Sequence, residues 1–556
     1  MKTWLQEKRN TSEILICLVY LIALLFNGGI FEWNATVLAL STISVLLYMN
    51  FSKENFYQMD WIQLRNRHNW IYFCPFLLFG IQLLVAFFAI DRSDHWTGVI
   101  KGIALLLWMQ LCMERDYKLL KILPASGALM TFLGILSLVA AKWFPSGKTY
   151  FFTAERFGGF FQYANTCALF LFLGLVVAVR QKGKQLFFIP LILMGILMTG
   201  SRTILLLLLA WLIYGCVKGG RMKWKVMITI LVIMGGILGI YLMTGFGEQN
   251  FARIFTIFSS NSTFWGRLLY DWDGLRILFH YPQGLGYGGY YSVQHAWQTG
   301  VYTVRFVHND ILQAGLDYGI LFMLLFLFYS GWQIFYGKQS KLKKELLILI
   351  LAASLIDFHL QFLAIDFLAV LCCDLGSCMR KQTRVERTEY RILITALAME
   401  CGILIIPYWN RYLGDYESVL KFFPNDTEAL VSKMEAATDR QEALALAERV
   451  LKQNPYRSEA YEVIAYAAAM DGNLKLVMEN FDKVLLLEKY DVKVYKMYEQ
   501  LLVEFVRSGE RGTKRNETIA KTALDKIDTI HTQLSDLSDS TSPLAYKIKD
   551  LPQFYW

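Results

Sequence analysis

Residues 163–217 read YANTCALFLFLGLVVAVRQKGKQLFFIPLILMGILMTGSRTILLLLLAWLIYGCV. Three apolar runs, at about 163–179, 186–200 and 203–217, are parted by a basic connection (Arg180, Lys182, Lys184) and by a tight break at Ser201-Arg202. A helix that crosses a bilayer needs about 20 mainly apolar residues, so the stretch reads as consecutive membrane helices, the last of them short. The same reading works outward in both directions. It predicts cores near 14–31, 33–49, 70–90, 97–113, 126–144, 226–245, 317–336, 345–358, 361–378 and 391–408. That makes thirteen, within a range of 12–14, and the runs at 33–49, 203–217 and 345–358 are short enough for one to be a broken or re-entrant helix.

Composition agrees. Of 556 residues, 55% are hydrophobic and 18% charged, against roughly 25% charged in soluble domains. One soluble globule of this size would lack the charge to cover its surface, and disorder or a nucleic-acid surface is excluded for the whole chain. The net charge of +9 is unevenly spread: residues 409–556 carry 20 Lys/Arg against 24 Asp/Glu, and residues 1–408 carry 35 against 22. The chain therefore divides into a basic, apolar membrane region, 1–408, and a mildly acidic soluble tail, 409–556. The expected fold class is all-α, a polytopic helical membrane protein with a C-terminal helical repeat domain. The nine cysteines all lie within or beside apolar runs and read as buried apolar thiols. No Cys/His spacing suggests zinc. The opening MKTWLQEKRNTSEILICLVYLIALLF has a basic start but no small-residue cleavage site after it, which marks a first membrane helix.

Lys and Arg concentrate in alternate connections, among them Lys53/Arg65/Arg67, Arg115/Lys118/Lys121, Lys338/Lys341/Lys343/Lys344 and Arg380/Lys381/Arg384. The positive-inside rule makes these cytoplasmic. The outward connections are then 145–162, Ser201-Arg202 and the long segment 246–316, and the tail lies outside too. A connection of about 70 residues is usually functional. Within it, Trp265, Leu268, Trp272, Leu275 and Ile277/Leu278 predict an amphipathic helix lying against membrane or bundle. Pro282 ends that helix, and Gly284, Gly286, Gly288 and Gly289 form a close-approach turn that fits no dinucleotide or Walker pattern. His308-Asn309-Asp310 stands at the mouth of the next helix, where Asn309 or Asp310 serves as a cap; the imidazole of His308 has no such explanation. Arg156, Arg202 and Arg267 are outward arginines close to the bilayer, and guanidiniums suit a phosphate-bearing ligand.

Together these residues resemble the O-antigen ligase and polymerase superfamily, bacterial integral-membrane enzymes that share the Wzy C-terminal signature. GGFFQYANTCA at 158–168 is similar to the family's Gly-x-Phe-x-Asn-Pro-Asn stretch, with Asn165 at the final Asn and Tyr163-Ala164 in place of Asn-Pro. TGSRTILLL at 199–207 resembles the Ser-Arg helix entry. Arg267 takes the place of the arginine early in the large loop, and Pro282-x-Gly-x-Gly that of the loop's turn. HNDILQAGLDYGI at 308–320 resembles the His-Asn motif, with Ile311 at an aromatic position and Asp317 at the acidic one. The resemblance implies transfer of a glycan from an undecaprenyl-pyrophosphate carrier to an acceptor hydroxyl at the outer face of the bacterial cytoplasmic membrane, with no metal or other cofactor. Arg202 and Arg267 would bind and neutralise the departing pyrophosphate, and His308 would deprotonate or orient the hydroxyl. Arg156 and Asn165 would support substrate binding, and Asn309 and Asp317 would act as caps or supports. A protein O-oligosaccharyltransferase is an alternative with the same core. A polysaccharide transporter or flippase, or an anchor for the tail, belongs to other classes, but neither needs polar residues gathered in one outward loop.

The tail from Thr438 to Gly509 has helical periodicity, with Ala460-Tyr461 echoed by Val494-Tyr495 after 34 residues. It resembles tetratricopeptide repeats, which bind proteins, so a protein partner is expected alongside the lipid-linked donor, the glycan or protein acceptor and membrane lipids. Residues 530–545 read as a flexible loop.

Overall fold

In the computed structural model, the run 163–217 resolves into Ala164–Gln181, Ile189–Thr199 and Arg202–Gly219. The reasons are local. Lys182 and Gly183 adopt positive φ after the first helix, Pro190 sits in the first turn of the second, and Gly200 closes that second helix in the left-handed region. The structure describes residues 2–51, 57–59, 70–113, 118–141, 143, 145–219, 224, 227–236, 262–376, 379–381, 383–509 and 514–555.

The fold is all-α and 81% helical. In chain order the helices are α1 Lys2–Leu25, α2 Glu32–Phe51, α3 Cys74–Val85, α4 Arg92–Met113, α5 Leu123–Ala140, α6 Pro145–Phe151, then α7, α8 and α9 as just given. α10 is Met227–Gly236. α11 Ser262–His280, α12 Gly289–Trp297, α13 Asp310–Phe335, α14 Lys341–Ser354, α15 Leu363–Cys372 and α16 Arg384–Leu413 follow. The tail adds α17 Tyr416–Phe422, α18 Thr427–Ala436, α19 Arg440–Gln453, α20 Ser458–Met470, α21 Leu474–Leu487, α22 Val492–Gly509 and α23 Lys514–Ser540.

Six helices among the described residues are long and apolar enough to cross a membrane: α2, α4, the span 119–140 that contains α5, α7, α13 and α16. α7 is central, with Cys167–Ala178 buried on every side against α5, α8, α9 and α14. A helix apolar all round belongs in a core of this kind. Trp108 of α4 stacks on Phe367 of α15 at 4.4 Å and donates its indole N–H to the Phe367 carbonyl.

The short runs carry the most information. The expected cores 345–358 and 361–378 become α14, an irregular stretch 355–362 with one 3-10 turn, and the ten-residue α15. Ten residues rise about 15 Å, half a hydrocarbon core, so the chain is broken at this level. The core expected at 226–245 is described only as far as Gly236. Residues 237–261, which include the start of the long 246–316 segment, and Cys378 lie outside the described residues. The eight described cysteines are free, six of them buried and Cys17 and Cys373 half-buried.

Connections sort to two ends of the bundle. At one end Tyr57–Met59 pairs antiparallel with Met379–Lys381, joining two of the basic connections. At the other end meet the hairpin Phe152–Thr153/Arg156–Phe157, the start of α9, the 262–309 segment and the 355–362 break. The tail packs at this second end. α16 runs through residue 408 without a break and is closed by Gly414, so no linker separates the two regions. Arg411 pairs with Asp94 at 2.5 Å, Asn454 donates to Asp91 and Ser292, and Tyr456 meets Tyr281 at 2.6 Å.

Two expectations change. Residues 530–540 are helical, the end of α23, because Ile530 and Leu534 are buried against the α21–α22 layer. The helix expected in the long segment does form, as α11, and ends before Pro282. Its apolar residues divide between two faces: Leu269, Ile277 and Leu278 are buried, while Phe264, Leu268, Trp272, Leu275 and Phe279 stand exposed.

Candidate active site

Asp357 lies in the break between α14 and α15 and is 1% exposed. Donors from four separate parts of the chain converge on it. Its Oδ1 accepts from Tyr163 Oη at 2.8 Å and from the Phe358 N–H at 3.0 Å, and faces His308 Nδ1 at 2.9 Å. Its Oδ2 accepts from Asn165 Nδ2 at 2.5 Å and from Arg267 at 3.0 Å.

Each donor is set by local chemistry. Tyr163 and Asn165 flank the start of α7, where Gln162 in the left-handed region turns an extended Tyr163 into the helix. Arg156 follows the turn residues Ala154 and Glu155, both at positive φ, as a tight hairpin requires. Its Nε donates to the Thr199 carbonyl at 2.9 Å and its Nη2 to Asn165 Oδ1 at 2.7 Å. Arg267 is presented by the first turns of α11 and also donates to Thr203 Oγ1 of α9 at 3.3 Å. Asn309 caps α13, accepting from the N–H groups of Ile311 and Leu312, and this directs the preceding His308 at Asp357. Asp310 accepts from the Leu360 N–H, which ties the α13 entry to the break.

Of the sequence-derived site residues, Arg156, Asn165, Arg267 and His308 thus belong to one hydrogen-bonded network. Arg202 opens α9 beside Thr203, at the edge of the network. Asp317 is elsewhere: it is buried in α13, accepts from Gln313 at 2.8 Å, and its carbonyl receives the Gly286 N–H. The glycine turn docks there. Gly284 and Gly319 both have φ near +90°, and a Cβ on Gly284 would lie 2.6 Å from the Gly319 nitrogen.

Asp357, Tyr163 and Asp271 were missed by the sequence reading. Asp357 had one available signal, a carboxylate inside an apolar run, which is costly without a role. Burial opposes its ionisation, but the hydrogen bond and charge of His308, with Arg267, outweigh that and hold the carboxyl well below the usual carboxylate range. Asp271, one turn beyond Arg267 on α11, behaves oppositely: burial pushes it up to about 6 despite His308, Arg267 and a hydrogen bond from Asn309. The His308 ring is held between Tyr270 at 5.9 Å and Phe358 at 5.2 Å.

Asp357 engages Nδ1, the arrangement that fixes a histidine's tautomer and ring orientation. Two guanidiniums, those of Arg156 and Arg267, stand within this network. Among the described residues, no group of three or more His, Cys, Asp or Glu side chains could hold a metal ion. No protein-family model, curated protein or solved structure matches the chain.

Proposed function

We propose that the chain is a multi-pass membrane glycan transferase of the bacterial cytoplasmic membrane. It would move a glycan from an undecaprenyl-pyrophosphate carrier to an acceptor hydroxyl on the outer face, as an O-antigen ligase or a surface-polysaccharide polymerase does. The observation that carries the reading is the His308–Asp357–Arg267 cluster, seated at the bundle end that the charge pattern makes extracytoplasmic.

The reaction needs little beyond placement, because the donor already holds a good leaving group. The acceptor oxygen attacks the anomeric carbon as the bond from that carbon to the phosphate oxygen breaks. The hydroxyl proton passes to His308 Nε2, and the lipid pyrophosphate departs as an anion. Asp357 orients the imidazole and stabilises its protonated form. Arg202 and Arg156 face the developing phosphate charge. Arg267 contributes less free charge than its sequence position implied, since Asp357 neutralises part of it. Direct attack inverts the anomeric centre. The tail is read as a set of helical pairs of tetratricopeptide type, held outside the membrane over the active end.

The test is the surface glycan of a deletion strain complemented with His308→Ala or Arg202→Ala. Transfer is expected to fall about 10²–10⁴-fold for the histidine variant, with the protein still inserted in the membrane. Shortened chains would identify a polymerase, and full-length unattached polymer a ligase. Wild-type glycan from both variants would sink the reading.

A further inference from the structure

We propose that the cavity between α4, α16 and the tail holds a phospholipid with a net negative headgroup, its acyl chain lying between the two helices and its headgroup under the tail. This goes beyond the transferase reading and needs only that α4 and α16 cross the membrane.

The cavity has a volume of about 800 Å³, within the range of ligand sites, and its two ends differ in chemistry. The inner part is apolar, with Val99, Ile100 and Ile103 from α4 and Leu397, Cys401 and Leu404 from α16. Both walls start at the tail end, where Arg411 meets Asp94. They run from Arg92 to Ile103 on α4 and from Tyr408 back to Leu397 on α16. Each is a rise of about 16 Å, half of a hydrocarbon core of about 30 Å, so the slot has the depth of one leaflet. Trp96 at its edge and Ile403 and Ile406 beside Leu404 are exposed, which turns the slot toward lipid. A carrier's polyprenyl chain is far longer than this slot, and no lining residue belongs to the Asp357 network, so the occupant is a membrane phospholipid and not the glycan donor.

The tail closes the other end with residues 422–426, between α17 and α18, and with Arg449, Lys452 and Gln453 of α19. Five ionisable residues line the cavity: Arg92, Arg449, Lys452, Asp426 and Glu400. Asp426 is buried and already matched, accepting from the Ala429 N–H at 3.0 Å and lying 3.6 Å from Arg411. Glu400 stands about 12 Å down α16 from Tyr408, apart from the mouth. Other carboxylates nearby, Asp91, Asp94 and Glu448, do not line the cavity; Asp91 accepts from Ser93 and Asn454, and Asp94 from Arg411. The three cations are exposed. Arg449 donates to the Pro424 carbonyl at 2.7 Å, while Arg92 and Lys452 make no ion pair among the described residues. Basic side chains above an apolar slot of leaflet depth complement an anionic head on an acyl chain.

The test is native mass spectrometry of the purified full-length chain, delipidated and then given phosphatidylglycerol or phosphatidylcholine with the same acyl chains. Wild type is expected to retain one phosphatidylglycerol about tenfold more tightly than phosphatidylcholine. Arg92→Gln combined with Lys452→Gln, both at exposed positions, should lose that preference, and Arg92→Lys should keep it. Leu404→Trp, which fills the slot, should lose tight binding of both lipids. Glycerol 3-phosphate, the same anion without a chain, should not displace the lipid at equal concentration. Equal affinity of wild type for the two lipids, an undiminished preference in the double variant, tight phosphatidylglycerol binding by Leu404→Trp, or displacement by glycerol 3-phosphate overturns the proposal. Glycan transfer in the complemented deletion strain tests the transferase reading separately, so either can fall without the other.

Discussion

Both oxygens of Asp357 are filled by protein donors, so the carboxylate is a positioning group rather than a base. Asp357→Ala would leave Arg267 and His308 without their buried partner, a loss of about 3 kcal/mol that thermal melts would register. Asp357→Asn keeps the shape but offers Nδ1 the wrong partner. Glycan transfer should drop about 10³-fold with near-native melting, and equal loss of stability in both variants would show that the contact is structural only. Asp271 works in the other direction. Its raised pKa means that ionisation above about 6 costs the folded state, because the unfolded carboxyl ionises near its ordinary 3.8. Stability from this group is therefore gained as pH falls through about 6. Asp271→Asn should melt no lower than wild type at pH 7 and should remove an inflection near pH 6 from the transfer profile. A profile with the same inflection in the variant would detach Asp271 from the reaction. Asp357 was hard to read because its side-chain partners lie 49 to 194 residues away; periodicity sees only neighbours, and counted residue 357 as the end of an apolar run.

At the level of elements, what the sequence made legible was whatever local chemistry decides. The helix entry at Asn309, the stop before Pro282 and the glycine turn all follow from backbone rules that act within a few residues. Where tertiary packing decides, the reading failed. The Ser/Thr/Asp-rich 530–540 stretch is helical because Ile530 and Leu534 are buried, and α11 carries two apolar faces where one was expected. The second, exposed face suits a helix lying in the outer membrane surface under the reading proposed here. The glycine turn supplies the test at this scale. Gly284→Ala must both adopt a left-handed φ and push its Cβ against the Gly319 backbone, for a destabilisation of about 2 kcal/mol. Because that turn holds the 282–289 segment on α13, the thermal transition should drop and transfer with it. An unchanged melting temperature would mean that the turn is not as tightly docked as its hydrogen bonds to Leu316 and Asp317 imply.

Across the whole molecule, the tail and the active end meet through an ionisable seam whose charge state sets how firmly they dock. Burial pushes Glu488 up to about 7, with Ser458 opposing and Glu459, Asp491 and Glu462 adding to it. Burial lowers His295, which lies 3.5 Å from Glu488. Burial thus disfavours charge on both members of this contact. Lys489 is lowered to about 8 by burial, with Asp273 opposing, and donates to the Ala296 carbonyl at 3.1 Å. The signs follow from which state holds more protons. Between the ordinary glutamate value of 4.5 and about 7, the docked state binds the extra proton on Glu488, so docking weakens as pH rises through that range. Between about 8 and the ordinary lysine value of 10.5, the undocked state holds the extra proton on Lys489, so docking strengthens again. The seam should be weakest from about pH 7 to 8. Limited proteolysis of the full chain, scored as release of the tail, should be fastest in that window. Glu488→Gln should abolish the rise in cleavage between pH 5 and 7 while leaving the fall above pH 8. A cleavage rate in Glu488→Gln that still climbs from pH 5 to 7 would show that another group governs the seam.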